Sequence, residues 1–368
     1  MKKLNRQRCF ILFSVLSLSL FGLLVIYSAS CIYAWKLYQD PAYFFKKQAF
    51  FLFISVVIFF STLLLDVEIL RKYNKELLLF TVFLLVMVLF VGKRVGGARR
   101  WFHFGTLTFQ PSTLLKISFL LYCADYFVRK DILMKYFKEG ILPLIVVAGF
   151  IFSLIIFEPD LGTVIFWLIW IFSMFFIVKV RKKHLLFLII CGIITCGVLI
   201  KTHPYRFTRL MSYFNPWADP RGSGFQLIQS QIAFGEGGFF GVGLGEGKQK
   251  LLYLPAAHTD FIFSIIAEEF GFLGSLGVLG LYFSVFIKML NISKAIGDIF
   301  SKYLCLGISL IFGLEIVINV GVSCGLLPTK GMSLPFISYG GTSLLINYIL
   351  LGIFFNVTKE HESAFGLR

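Results

Sequence analysis

CFILFSVLSLSLFGLLVIYSASCIYA, residues 9–34, holds no charged side chain. A helix crosses the roughly 30 Å hydrocarbon core of a bilayer with about 20 apolar residues, so this run is long enough to span it. It is too long for the apolar centre of a secretory signal, about 7–15 residues, and more apolar segments follow. It therefore reads as the first span. Outward from it, hydropathy and charge punctuation predict further spans near 44–65, 77–92, 112–128, 140–157, 161–178, 185–200, 261–287, 303–324 and 342–357. The expected fold class is an all-α polytopic membrane protein of about ten transmembrane helices.

Composition supports this and excludes a water-soluble fold: 58% of the 368 residues are hydrophobic, and only 15% are charged. The 45 phenylalanines suit a lipid-facing surface. Seven cysteines lie scattered in apolar stretches, without a CxxC pair or a metal-ligand spacing, and read as small buried hydrophobes. The sequence holds no internal repeat and no soluble domain, so residues 1–368 read as one membrane domain.

An even number of spans puts both termini on one side. More than half of the 35 Lys and Arg residues mark that side as cytoplasmic: Lys2 to Arg8, Arg71 to Lys75, Arg129 to Lys138, Lys179 to Lys183, Lys288 to Lys302, and Lys359 with Arg368. The remainder cluster on predicted outer segments, where positive charge is normally depleted. Lys93, Arg94, Arg99 and Arg100 precede Trp101, with Lys116 just beyond; Lys201, Arg206, Arg209, Arg221, Lys248 and Lys250 fall in the segment of about 201–260; Lys330 lies in a third loop. Such a surface suits an anion presented at the membrane, either a lipid diphosphate or the anionic phospholipids themselves.

The long outer segment has a Gly-rich centre, FGEGGFFGVGLGEGKQK, which predicts turns in place of continuous helix. Its aromatic and apolar residues argue for an ordered layer on the membrane surface. At its end, His258, Thr259 and Asp260 meet the eighth span. A carboxylate at the lip of an apolar helix is partly desolvated, which raises its pKa and suits a general base. Asp is equally a preferred helix N-cap. Glu268 and Glu269 lie deeper in the same helix, where an acid either pairs with a cation of a neighbouring span or serves the chemistry.

Glu158-Pro159-Asp160 forms a tight turn in which Asp160 either caps the next helix or contacts a sugar hydroxyl or a cavity base. The loop of about 325–341 is broken by Pro328 and Pro335 and by Gly325, Gly331 and Gly340; such backbone is tolerated at membrane depth where it lines a polar cavity, so a re-entrant loop is expected. Trp101 either stacks on a sugar or lipid or anchors at the interface. GVGLGEG lacks the strand and the Lys-Ser/Thr of phosphate loops, and HExxH, GxSxG and paired-Asp metal motifs are absent.

GARRW (97–101), FQPS (109–112), EPDLGT (158–163), the run from Asn215 to Gly271, and GLLPTKGMSLPFISYGGTS (325–343) together resemble the SEDS family of shape, elongation, division and sporulation proteins. The resemblance spans nearly the whole chain, and Leu327 to Gly331 with HTDFIF look more like its division members than its elongation members. It implies a peptidoglycan glycosyltransferase that polymerises lipid II in the bacterial cytoplasmic membrane, at the division septum. A lipid II flippase and a scaffold that only recruits a transpeptidase are the alternatives. By resemblance, Asp260 is the catalytic base, and Arg99, Arg100 and Lys116 stabilise the departing diphosphate. Trp101, Gln110, Asp160, His258, Thr259, Lys330 and Ser338 complete the expected substrate contacts. No cofactor is required, with room for a divalent cation at the diphosphate. The expected partners are lipid II, a class B penicillin-binding protein, other division proteins and membrane lipids; nucleic acid is not among them. One departure stands out: the family commonly has Glu where this chain has Thr113, one turn before Lys116. Lys116 then either finds another carboxylate or is free for phosphates.

Overall fold

The computed structural model describes residues 2–95, 98–105, 107–202, 204–251 and 253–364. Ten helices occupy the ten predicted spans: α1 (Lys2–Tyr38), α2 (Tyr43–Thr62), α4 (Asn74–Val91), α5 (Pro111–Arg129), α6 (Leu142–Phe157), α7 (Leu161–Ile177), α8 (Lys182–Lys201), α11 (Ile262–Ala295), α12 (Ile299–Ser323) and α13 (Gly341–Ala364). Three shorter helices lie between them, α3 (Val67–Lys72), α9 (Pro204–Phe214) and α10 (Phe225–Gly237). Among the described helices, eight are apolar and long enough to cross a membrane; α7 is apolar but has 17 residues, and α5 carries Lys116, Asp125 and Arg129.

Helical periodicity decides which face each span buries. In α2, Phe44, Gln48, Leu52, Ser55, Phe59 and Thr62 form a buried stripe toward α13, whereas Phe50, Phe53, Val57 and Phe60 are exposed. The helices approach so closely that a Cβ at Gly352 would overlap the Thr62 hydroxyl. Exposed phenylalanines of this kind are the lipid-facing surface that the composition implies.

The segment between α8 and α11 is more helical than its glycines suggest. It opens with α9 and α10, joined by turns over 216–224, and the glycine-rich turns begin at Gly238. Its centre seats in a break of α11 at Gly271, where φ is 67° and ψ is −164°. Backbone groups freed inside a membrane helix need protein partners. Val242 N donates to Glu268 O (3.0 Å), Gly243 N to Glu269 O (3.1 Å), Phe272 N to Gly238 O (3.0 Å) and Leu273 N to Phe239 O (3.2 Å). Side chains complete the plug: Lys250 pairs with Glu269 at 2.7 Å, Ser28 of α1 donates to the same carboxylate at 2.5 Å, and Glu268 accepts the backbone N–H groups of Lys248 and Gln249. The cation that answers Glu269 thus comes from the long segment and not from a neighbouring span.

The segment around Arg99 is a small antiparallel sheet of β1 (Lys93–Val95), β2 (Ala98–Phe104) and β3 (Leu107–Phe109), in the order β1-β2-β3. Lys93 opposes Trp101, and Arg94 opposes Arg99. The loop 325–340 dives into the bundle: Leu334, Phe336 and Ile337 are buried, Tyr282 donates its hydroxyl to Pro335 O, and a Cβ at Gly22 of α1 would lie 2.8 Å from Ile337 Cα.

Lys250→Met leaves Glu269 buried and unpaired, a change that costs about 3–5 kcal/mol. The expected result is a lower thermal midpoint in detergent, largely recovered when Glu269→Gln is added.

Candidate active site

A cavity of about 530 Å³ opens where α2, α5, α7, the turn before α11, α12 and the loop 325–340 converge. Asp260 lies in its wall, in a turn closed on Ala256 O by the N–H groups of Thr259 (3.1 Å), Asp260 (3.1 Å) and Phe261 (3.3 Å). The N-cap of α11 is Phe261, which makes no side-chain cap bond, so the carboxylate of Asp260 does not cap that helix. It rests against Gly331 instead, where a Cβ would stand 2.7 Å from Oδ2. Burial pushes the carboxyl up to about 6; Asp160 adds to the rise and Arg209 opposes it.

Three clips fix this turn. Asn319 of α12 donates its Nδ2 both to Asp260 O (2.9 Å) and to Met332 O (2.6 Å). Ser338 donates to Thr259 O at 2.6 Å and accepts from Leu334 N, while Tyr339 N donates to His258 O. Gln48 of α2 donates to Ser338 O and accepts from Gly340 N, each at 3.2 Å. Ser338 therefore holds the backbone of the Asp260 turn and is not among the cavity-lining residues. His258 is also off the lining: its ring packs 4.6 Å from Phe44 and 5.6 Å from Tyr339, and burial lowers its pKa to about 4, so it is neutral at pH 7.

The other expected site residues divide into two groups. Trp101, Gln110, Lys116, Asp160 and Thr259 line the cavity with Asp260. Lys116 has found a carboxylate, Glu315 of α12 at 2.5 Å, and donates to Asn347 of α13 at 3.2 Å. Asp160 caps α7, accepting from Thr163 N (3.1 Å) and Thr163 Oγ1 (2.8 Å) while facing the cavity. Arg99, Arg100 and Lys330 are not on the lining, and the Lys330 ammonium is buried against the Phe166 ring at 5.7 Å from its centre. Arg99 donates to Leu89 O and Phe90 O at the end of α4, and Arg100 to Glu158 O (2.7 Å) and Pro159 O (2.5 Å). Glu158 beneath is fully buried and pushed up to about 8 by that burial, with Asp160 reinforcing and Arg100 opposing the shift.

Sequence reading missed Asn319, Glu315, Gln48 and the role of Gly331. Glu315 and Asn319 lie four residues apart on one face of an apolar helix, and intramembrane polar side chains at that spacing are a usable signal. Among the described residues, no group of three or more His, Cys, Asp or Glu side chains stands where it could hold a metal ion.

The family model of cell cycle proteins named for FtsW, RodA and SpoVE matches residues 7–363. The chain belongs to this family. A probable peptidoglycan glycosyltransferase FtsW of Trichlorobacter lovleyi is 40% identical over 359 residues, covering 96% of this chain and 93% of that protein. Stage V sporulation protein E of Bacillus subtilis is 36% identical over 360 residues, covering 97% and 98%. Among solved structures, a chain of a peptidoglycan synthase complex described for its coordination of polymerization and crosslinking superposes with a TM-score of 0.78 at 28% identity, covering 95% of this chain and 97% of that one. Thermus thermophilus RodA, a rod shape determining protein, gives 0.69 at 25% identity, with 95% and 96% covered. The FtsW, RodA and SpoVE architecture thus extends over nearly the whole chain.

Gly331→Ala places a methyl group against the Asp260 carboxylate. The variant is expected to keep its thermal midpoint within a few degrees and, if that carboxylate takes part in the reaction, to lose activity by about tenfold or more, because a small misplacement of a reacting group is costly. Turnover and melting measured on the same preparation check this.

Proposed function

We propose that this protein is a peptidoglycan glycosyltransferase that polymerises lipid II during cell division, with Asp260 as the general base. The carrying observation is the placement of Asp260: a desolvated carboxylate in the wall of a cavity lined by both aromatic and polar side chains, held through its backbone by Asn319. The acceptor hydroxyl gives its proton to Asp260 as its oxygen bonds to the donor anomeric carbon. The bond from that carbon to the diphosphate oxygen breaks, and the electron pair leaves with the undecaprenyl diphosphate. A base pushed up to about 6 is ionised at pH 7 and still close enough to neutrality to take a proton well.

The surrounding residues take graded roles in this reading. Trp101, Gln110, Thr259 and Asp160 meet the sugars; Lys116, paired with Glu315, places an ammonium at the cavity wall without a net buried charge. Arg99 and Arg100 brace the β-sheet against α4 and the turn at Glu158, a role that their backbone contacts support better than direct contact with the diphosphate. Ser338 and His258 position the Asp260 turn. The reaction as written calls on no resident cofactor. We place both termini in the cytoplasm and the cavity on the outer face, from the basic segments, in the bacterial cytoplasmic membrane at the septum. The synthase-complex likeness supports a class B penicillin-binding protein as partner, alongside other division proteins.

The test uses protein purified with its transpeptidase partner and labelled lipid II. Asp260→Ala is expected to lower polymerisation by on the order of 10²–10⁴-fold, the usual worth of a general base. The wild-type rate is expected to fall as pH drops below about 6, where Asp260 takes up its proton and no longer accepts one. Polymer at the wild-type rate from Asp260→Ala would falsify the assignment. Scrambling of lipid II across liposomes without polymer points to a flippase, and loss of neither function in that variant points to a scaffold.

A further inference from the structure

If the chain is a glycosyltransferase, as proposed above, the acceptor sugar lies against the base, and the wall beside Asp260 meets it. Tyr339 begins that wall. Its N–H donates to His258 O (3.0 Å) and the neighbouring Ser338 hydroxyl donates to Thr259 O (2.6 Å), so the ring is tied to the same turn as the base. From Tyr339, aromatic contacts run to the corner between α1 and α2. Phe44 stands edge-on to Tyr339 at 5.0 Å, to Tyr43 at 5.3 Å and to Tyr38 at 5.8 Å. All four rings line the cavity, as does Lys47, whose ammonium lies 4.7 Å from the centre of the Tyr43 ring.

Local bonds build the corner. Gln39 takes the left-handed conformation (φ 55°), and Asp40 accepts from Ala42 N at 3.0 Å and pairs with Lys46 at 2.8 Å. Tyr38 and Tyr43 stack across the turn with ring centres 3.8 Å apart. Each of these two rings covers one face of the other, which leaves their rims to a ligand. Burial pushes the Tyr339 phenol up to about 12, with Tyr43 and Tyr38 reinforcing the shift, so it keeps its proton at pH 7. That mutual influence puts three phenols in one neighbourhood of the wall.

We infer that Tyr339, Tyr43 and Tyr38 form the seat of the acceptor saccharide, an uncharged sugar held by phenol hydroxyls on an aromatic wall. The chemistry selects this occupant. A sugar presents C–H faces and a rim of hydroxyl groups, which match aromatic surface and neutral donors. A polyprenyl chain has no group to bond with a phenol, and a phosphate is better met by a cation. The α1–α2 corner and Tyr339 contribute one charged residue to the lining, Lys47, whereas Lys116, Asp160, Asp260 and Glu315 come from α5, the start of α7, the turn before α11, and α12.

The experiment measures equilibrium binding of the disaccharide of lipid II, free of lipid and phosphate, and separately of undecaprenyl diphosphate, to the full chain in uncharged phosphatidylcholine nanodiscs, alongside polymerisation. Tyr339→Phe and Tyr43→Phe are each expected to weaken disaccharide binding by about three- to tenfold, the worth of one neutral hydrogen bond, and to leave undecaprenyl diphosphate binding within about twofold. The KM for lipid II is expected to rise with that loss. Each change removes one oxygen and keeps the ring, so thermal midpoints stay within a few degrees; if Tyr339→Phe fails to fold, Tyr43→Phe and Tyr38→Phe carry the comparison. Disaccharide binding that is absent from the wild type, or unchanged in these variants, overturns the inference. Losses confined to undecaprenyl diphosphate overturn it too and mark the wall as a surface for the lipid. A wild type that binds the disaccharide through these tyrosines yet makes no polymer sinks the glycosyltransferase reading and leaves the saccharide site standing.

Discussion

A backbone amide inside a membrane helix has no water to bond to, and that constraint organises the half of this molecule that matters for chemistry. Breaking α11 at Gly271 leaves carbonyls and N–H groups that must be met from elsewhere in the chain. The glycine-rich run from Gly238 to Gly243 meets them, and Lys250 neutralises Glu269 beside the break. The long segment is thereby anchored at both ends of its glycine-rich part, and the turn carrying Asp260 emerges from a fixed point.

Charge is handled differently in the two halves of the site. Two buried acids are answered by cations through one carboxylate oxygen each: Glu269 by Lys250, with Ser28 beside it, and Glu315 by Lys116, itself held by Asn347. Around Asp260 the balance is left open: among the described residues the carboxylate is in no ion pair, and the buried Lys330 ammonium behind the cavity wall has no hydrogen-bonded acceptor. Low dielectric strengthens the field that each of these groups sets up around it. The neutral His258 two residues before Asp260 adds packing and no charge.

The spans are legible in the sequence because lipid imposes a length and a composition on every crossing helix, and the ten predicted segments coincide with ten helices. Asp260, Trp101, Gln110, Lys116, Asp160 and Thr259 are legible as candidates because polar residues at the ends of apolar runs are conspicuous. The β-sheet is not, although the alternation in ARRWFHF is a strand signal, because a short basic stretch between two spans reads as a plain outer loop. Nor is the Lys116 partner: Thr113 removes the local pairing, and Glu315 arrives only through the packing of α12 on α5. Arg99 and Arg100 read as anion ligands from charge alone, since nothing in one-dimensional spacing shows a guanidinium turned toward carbonyls of its own chain.

Asn319 donates to two carbonyls from segments that are distant in sequence, one bearing Asp260 and the other Met332. A single amide on α12 thus acts as a common pivot. Both segments are referred to the same point of the helix, and the spacing between the carboxylate and Gly331 is set from there. The alignment of the acid with its neighbouring loop thus rests in part on one side chain, whose two amide hydrogens are shared between them.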